Sequence, residues 1–206
     1  MANIITISRF PLLLIYLLML YLGNATIHMI SLPLLFIALA FDSLDGIVAR
    51  RTGNVSLSGS VLDIAADRVY ELVLWVSFAD IGLIPVAIPI IVITRTTLTD
   101  AIRSLGIRDG KAPFDQHETR LAKLIVGNRW MRLIYGLAKL ISFCGLALAL
   151  ALSGYPEGSA SFEASSGVLR FFQVTSWFAV ALCVVRGSPV ILGAIKRSLQ
   201  KPAKTV

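Results

Sequence analysis

Four aspartates, with small residues between them, form the stretch of this sequence best suited to chemistry. Asp42 and Asp45 are three residues apart and Asp63 and Asp67 are four apart, so on helices each pair lies on one face. If the two helices face each other, the four carboxylates converge, and their repulsion favours protonation or a bound cation. Hard oxygen ligands suit Mg²⁺, Mn²⁺ or Ca²⁺. The sequence therefore predicts a divalent-metal site, the alternative being helix ends at which these aspartates pair with nearby arginines.

A second candidate site is basic. Arg95 and Arg103 are eight residues apart in one apolar segment, and Arg132 and Lys139 are seven apart in another, where Gly136 would permit close approach. Charged groups at membrane depth are costly, so we expect them to face the protein interior and meet an anion. We predict that these four cations bind a substrate phosphate. The alternatives are snorkelling for Arg103 and Lys139, and threonine partners for Arg95.

The elements that position these residues are apolar. The chain has 206 residues, of which 56% are hydrophobic and only 15% are charged, and its mean hydropathy is +0.80, which indicates an integral membrane protein. Crossing a hydrocarbon core of about 30 Å takes about 20 residues. We predict a single all-α domain over 1–206, a bundle of six transmembrane helices preceded by a short interfacial helix with Arg9 in the headgroups. The predicted spans are 8–24, 27–46, 59–79, 82–104, 131–153 and 168–192.

Charge placement predicts the orientation. Arg50, Arg51, Arg68, the connection 105–130 and the basic tail all fall on one side, and Arg170 is the one basic residue near the other. Cytoplasmic loops carry the excess of Lys and Arg, so we expect both termini and the aspartates to face the cytoplasm from the inner membrane.

The predicted connections differ in character. Residues 106–130 form a cytoplasmic loop with a short amphipathic helix near 119–126, and residues 154–167 form a flexible outer loop. Gly187-Ser-Pro189 predicts that the last helix kinks or ends there.

The spacing D-x2-D-G-x2-A-R-x8-G-x3-D-x3-D, met from Asp42 to Asp67, resembles the signature of the CDP-alcohol phosphotransferase (CDP-alcohol phosphatidyltransferase) family. The opening N-x2-T-x2-R of residues 3–9 is also similar to members of this family. The resemblance implies transfer of a phosphatidyl group from CDP-diacylglycerol to an alcohol, with release of CMP. It also implies one or two Mg²⁺ or Mn²⁺ ions and a homodimer, and gives no reason to expect a nucleic-acid partner.

The resemblance assigns roles to the residues of the signature. Asp42, Asp45 and Asp63 would hold the metal with help from Asp67, which would also be the general base that takes the proton of the acceptor hydroxyl. The CDP-binding residues implied are Asp45, Gly46, Ala49, Arg50 and Gly59.

The acceptor alcohol is predicted from the basic set. The segments 95–103 and 136–139 resemble phosphatidylglycerophosphate synthases, whose acceptor is glycerol 3-phosphate, and this is the acceptor that we expect. Asp67-Arg68 and Arg129-x2-Arg132 resemble instead the phosphatidylinositol-phosphate synthases, whose acceptor is inositol phosphate. A non-catalytic lipid-binding protein or a divalent-cation transporter is the alternative of another class. A transport pathway would place acids near the membrane midplane, whereas these acids lie near one end of their helices.

Overall fold

The computed structural model of the chain describes residues 2–52, 57–108 and 129–200. Within these ranges it describes only the backbone at 2–8, 41–52, 57–63, 103, 105–108, 129 and 197–200. The described residues form six helices and no strand, which confirms the all-α prediction for this part of the chain. The helices are α1 (Ala2–Leu22), α2 (Ala25–Thr52), α3 (Leu57–Asp80), α4 (Ala87–Arg108), α5 (Arg129–Ser153) and α6 (Ala160–Gln200).

Polar side chains and one glycine fix several helix ends. Asn24 accepts the N–H of Ile27 at 3.0 Å and so caps the start of α2. The end of α3 has Gly82 at φ +78°, a left-handed conformation that suits glycine. There Leu83 N–H donates to the carbonyl of Phe78 at 2.9 Å and Gly82 N–H to that of Ala79 at 3.1 Å. This is the Schellman pattern, which satisfies the last carbonyls of a helix.

Helix α6 is longer at both ends than the sequence predicts. It begins at Ala160, so the predicted loop 154–167 is wrong over its second half. Ser159 accounts for the start, because its hydroxyl accepts the N–H of Phe162 at 3.2 Å. The helix also continues through Pro189 to Gln200. Pro189 cannot donate to the carbonyl of Val185, and the Ser188 hydroxyl donates to that carbonyl instead, at 2.9 Å.

The first helix is also continuous. Helix α1 runs from Ala2 to Leu22 and includes Pro11. A separate N-terminal interfacial helix is therefore wrong for these residues. The fixed φ of proline is compatible with a helix, so Pro11 removes one hydrogen bond without ending α1.

The chain divides into two compact units. Unit 1 comprises Met1–Val86 and Leu140–Thr175, and here α1 packs against both α2 and α3. Its core includes an aromatic cluster in which the Phe143 ring lies 4.5 Å from the Trp75 ring and 6.0 Å from the Phe78 ring. Unit 2 comprises Ala87–Lys139 and Ser176–Val206, and within it Ile88 and Val92 of α4 are buried.

Two helical segments of the described chain are long and apolar enough to cross a membrane, Trp130–Ser153 and Ala160–Lys196. Arg9–Leu22 and Ala25–Ala40 are apolar but shorter. Large apolar side chains such as Leu22, Trp130 and Val174 are exposed, as lipid-facing residues would be. Both observations indicate a membrane protein. The spans at α1 and α2 stay predictions because their apolar runs are shorter, and those at α3 and α4 because charged residues interrupt their apolar sequence.

Candidate active site

The four aspartates of the signature lie on two consecutive helices. Asp42 and Asp45 belong to the second half of α2, and Asp63 and Asp67 lie one turn apart in the first half of α3. The side chains of Asp42, Asp45 and Asp63 lie outside the described residues. Whether the four carboxylates converge therefore stays a prediction.

The predicted CDP-binding residues share this position in the chain. Asp45, Gly46, Ala49 and Arg50 follow one another along α2, and Gly59 lies in the first turn of α3. Their side chains lie outside the described residues, so their contact with a nucleotide stays a prediction as well.

Asp67 is the aspartate of the four whose side chain is described, and it contacts a buried arginine. Arg9 Nη2 lies 3.2 Å from Asp67 Oδ1. The Arg9 side chain is 2% exposed, whereas that of Asp67 is 42% exposed. The prediction that Arg9 lies in the headgroups is therefore wrong. Because a carboxylate 58 positions along the chain pairs with it, the guanidinium can be buried instead of snorkelling.

Tyr70, one turn after Asp67, holds Arg9 in two ways. The guanidinium lies over the Tyr70 ring, 5.0 Å from its centroid, and the Tyr70 hydroxyl donates to the backbone carbonyl of Arg9. Sequence reasoning missed Tyr70 and misassigned Arg9. The N-x2-T-x2-R resemblance is the signal that could have drawn attention to Arg9, but spacing within α1 cannot reveal a partner on α3.

A buried acid extends the α3 stripe beyond Asp67. Glu71 is four residues after Asp67, its side chain is 3% exposed, and its Oε2 lies 3.7 Å from Arg68 Nη1. This spacing continues the four-residue period of Asp63 and Asp67. Arg68 therefore has an acidic neighbour in its own helix, at a distance typical of a weak ion pair.

The basic residues of unit 2 form a second constellation. Lys139 Nζ lies 4.7 Å from the centroid of the Tyr135 ring, and the Arg186 guanidinium carbon lies 5.2 Å from the same centroid. A third cation, Arg95, packs against the same helix: its side chain occupies the space beside Gly187, the residue after Arg186. The structure thus places Lys139 of the predicted set and Arg186, which the sequence analysis left out, at one aromatic ring, and it places Arg95 against the next residue of α6.

The remaining predictions for the basic set have different outcomes. Arg132 is exposed at the start of α5, and the side chain of Arg103 lies outside the described residues. No described part of the chain comes within 4 Å of a Cβ added at Gly136, so close approach at this glycine is not found there. The predicted helix 119–126 lies outside the described residues.

Threonines do not account for Arg95. The Thr99 hydroxyl donates to the backbone carbonyls of Arg95 and Thr96, at 3.0 and 2.9 Å, and not to a side chain. Arg95 Nε is buried, and it has no hydrogen-bond acceptor among the described residues. A buried donor of this kind normally has a partner, and an anionic ligand would supply one.

The described side chains alone do not compose a metal site, since no three of their His, Cys, Asp and Glu residues lie together. Asp67 is suited to such a site, because carboxylate oxygens are good ligands for divalent cations and its side chain stays partly exposed. The other three predicted ligands would have to complete it.

Comparison with known proteins identifies the family. A family model described as CDP-alcohol phosphatidyltransferase matches residues 1–185 of the 206-residue chain. A search of curated proteins gives no match. The matched range contains the whole aspartate signature together with Arg9, Tyr70, Arg95 and Lys139, and it ends one residue before Arg186. The chain therefore belongs to the CDP-alcohol phosphatidyltransferase family, whose members transfer a phosphatidyl group from a CDP-alcohol to an alcohol.

Proposed function

We propose that this protein transfers the phosphatidyl group of CDP-diacylglycerol to the hydroxyl of glycerol 3-phosphate and releases CMP. Family membership gives the reaction type. The observation that carries the choice of a phosphorylated acceptor is the group of cations in unit 2, where Lys139 and Arg186 share the Tyr135 ring and Arg95 crosses Gly187.

The donor half of the reaction belongs to the aspartate signature. Asp42, Asp45, Asp63 and Asp67 would hold Mg²⁺ or Mn²⁺, which when bound neutralises charge that develops on the leaving phosphate. Gly46, Ala49 and Gly59 would let the nucleotide approach the helix backbone, and Arg50 would lie near its phosphates.

Asp67 carries the proton-transfer step of this proposal. Its carboxylate takes the proton of the acceptor hydroxyl as that oxygen attacks the phosphorus bearing the diacylglycerol. A new phosphorus–oxygen bond forms, the bond to the CMP oxygen breaks, and CMP leaves with the electron pair. The 42% exposure of Asp67 supports this role, because an acceptor must reach the carboxylate.

The acceptor half needs an anion for the cations of unit 2. Cations buried in a membrane protein are expensive unless they are paired, and arginine donors match phosphate oxygens well. The buried Arg95 Nε, without an acceptor among the described residues, supports a phosphate at this place. Serine or choline as acceptor would not require several cations. We include Arg103 and Arg132 in the proposed set from their spacing in the sequence.

The charge distribution supports a location for this reaction. We infer that the protein lies in the cytoplasmic membrane with its active site and both termini facing the cytoplasm, where soluble acceptors are available. The family resemblance further supports a homodimer.

A panel of acceptors tests the proposal directly. The purified full chain, in mixed micelles with CDP-diacylglycerol and Mg²⁺ or Mn²⁺, is given glycerol 3-phosphate, inositol phosphate, inositol or serine, and CMP release is measured. We expect release with glycerol 3-phosphate and little with inositol or serine. Release with inositol phosphate alone would assign the other phosphorylated acceptor. Serine or inositol as the preferred acceptor would contradict the role given to the cations of unit 2.

A further inference from the structure

We propose that Arg9 is a positioning residue for Asp67, fixing the carboxylate in the orientation from which it takes the acceptor proton. This inference rests on the proposed function, because it assigns Asp67 the role of general base. It adds a residue of the first helix to a site that the sequence signature confines to α2 and α3.

The pair is arranged asymmetrically. Arg9 Nη2 approaches Asp67 Oδ1 to 3.2 Å from a position that is almost fully buried, while Asp67 keeps 42% of its side chain exposed. The guanidinium therefore contacts the carboxylate from the buried side, and the exposed side of the carboxylate stays accessible to substrates. A carboxylate that is already oriented needs no reorientation between the bound state and the transition state, so the pair accelerates the reaction step itself.

Arg9 is itself fixed, as a positioning residue must be. Its guanidinium carbon lies 5.0 Å from the centre of the Tyr70 ring, and its backbone carbonyl accepts a hydrogen bond from the Tyr70 hydroxyl. Tyr70 is 2% exposed and lies three residues after Asp67. One turn of α3 thus carries both the carboxylate and the residue that orients its partner.

Helix docking alone does not explain a buried cation at this place. Helices α1 and α3 have a second polar contact near their other ends, where the Tyr21 hydroxyl donates to Asp80 Oδ2 at 2.9 Å in an exposed position. That contact is made without burying a charge. Burying the Arg9 guanidinium costs desolvation that an apolar residue of similar volume would avoid, so the ion pair suits a functional requirement better than a packing one.

Kinetics of matched variants test the proposal. Arg9→Gln removes the cation, Arg9→Lys keeps it, and Tyr21→Phe removes the other contact of the same two helices. We expect kcat for CMP release to fall about 10–100-fold in Arg9→Gln, the range for residues that orient metal-binding or catalytic groups. KM for both substrates should change little, because the lost interaction acts in the transition state. Arg9→Lys should retain a higher kcat than Arg9→Gln, and Tyr21→Phe should match the wild type.

Three results would overturn the inference. They are a wild-type kcat in Arg9→Gln, a raised KM with kcat unchanged, and an equal loss of kcat in Tyr21→Phe. The last would show that any loosening of α1 against α3 has the same effect.

A double-mutant cycle separates this inference from the proposed function. Melting temperatures are compared for the wild type, Arg9→Gln, Asp67→Asn and the double variant. We expect the double variant to melt higher than the sum of the single shifts predicts, by about 2 °C or more, because either single substitution already breaks the pair. Additive shifts would overturn the positioning role. If the wild type releases no CMP with any acceptor, the proposed function fails, whereas non-additive shifts would still show that Arg9 holds Asp67.

Discussion

Asp67 and Asp80 are two aspartates of α3 whose hydrogen-bond partners differ in charge. Asp67 contacts the buried cation Arg9, and Asp80 accepts the hydroxyl of Tyr21, a neutral donor. Both partners come from α1. The comparison of these two residues therefore isolates what a carboxylate does beyond joining the helices.

We expect Asp67→Asn to abolish CMP release, with kcat lower by about 10²–10⁴-fold, because an amide cannot take the acceptor proton. Asp80→Asn is the control: it keeps an acceptor oxygen for Tyr21 and lies outside the proposed site. It should retain wild-type kcat. Initial rates of CMP release at saturating substrates measure both variants. Substantial activity in Asp67→Asn would contradict its role as general base.

An alanine substitution at Gly187 tests the role of the cations of unit 2 in acceptor binding. A Cβ at this position would collide with Arg95 Nε and would lie 2.9 Å from Arg95 Cγ, so the arginine must move. We expect Gly187→Ala to raise KM for the phosphorylated acceptor about tenfold, the cost of roughly 1.4 kcal/mol of lost phosphate binding. KM for CDP-diacylglycerol should stay unchanged.

The control for Gly187 lies twenty residues earlier on the same helix. Apart from its own helix, no described part of the chain comes within 4 Å of a Cβ added at Gly167, so Gly167→Ala should bind the acceptor like the wild type. Equal effects of the two substitutions on KM would mean that a general response of α6 to alanine, and not displacement of Arg95, is responsible.

At this scale, sequence reasoning predicted the chemical types and missed specific partners. The spacings Arg95–Arg103 and Arg132–Lys139 indicated cations within apolar helices. The structure places Arg95 against Gly187 of α6, and it places Lys139 at the Tyr135 ring that Arg186 of α6 also contacts. Arg186 was left out because a lone arginine near Gly187 and Pro189 has no spacing partner in α6. The pair of Arg9 and Asp67 could not be predicted either, because no periodicity relates residues on different helices.

At the scale of elements, the sequence predicted where helices occur better than where they end. A run of Gly, Ser and Ala before residue 168 is typical of a loop, yet α6 begins at Ala160 because Ser159 caps it. Pro189 is typical of a helix end, yet the Ser188 hydroxyl bonds the carbonyl that proline leaves without its donor. Both outcomes depend on single hydrogen bonds, which apolar periodicity does not record.

Two glycines of α5 should respond in opposite ways to alanine. A Cβ at Gly145 would collide with the ring of Phe172, a partly buried residue of α6 in the same unit. We expect Gly145→Ala to destabilise the protein by about 1–3 kcal/mol, the usual cost of overpacking. A thermal melt in detergent should show a Tm lower by several degrees.

Gly136→Ala is the matched substitution for this melt. The described chain leaves the position of its Cβ open, and alanine is the better helix former by about 1 kcal/mol. Its Tm should equal or exceed that of the wild type. A destabilised Gly136→Ala would indicate a close contact at that glycine, as the sequence analysis expected.

At the scale of the whole molecule, composition was enough to predict a helical membrane protein, but hydropathy supports only two of the six predicted spans in the described part of the chain. Trp130–Ser153 and Ala160–Lys196 pass by length and hydropathy. Helices α3 and α4 carry Asp67, Glu71, Arg95 and Asp100 within them, and these charges lower the hydropathy of the helices that the proposed reaction requires. If α3 and α4 are spans, as predicted, the charged residues of the proposed site are themselves the reason that the hydropathy of these helices is low.

Metal removal tests the whole proposal at once. If the aspartates of α2 and α3 hold a divalent cation, chelation by EDTA should stop CMP release, and Mg²⁺ or Mn²⁺ should restore it. The ion should also raise Tm by a few degrees, because a ligand that binds only the folded state stabilises it. Asp67→Asn should reduce this rise and Asp80→Asn should not, which ties the stabilisation to the proposed site and not to bulk salt.

Uptake of Mn²⁺ into proteoliposomes without CMP release from any acceptor would contradict the enzymatic role and favour transport. Activity that survives chelation would instead remove the metal from the mechanism. The four carboxylates, if they converge, would then need protons to relieve their repulsion.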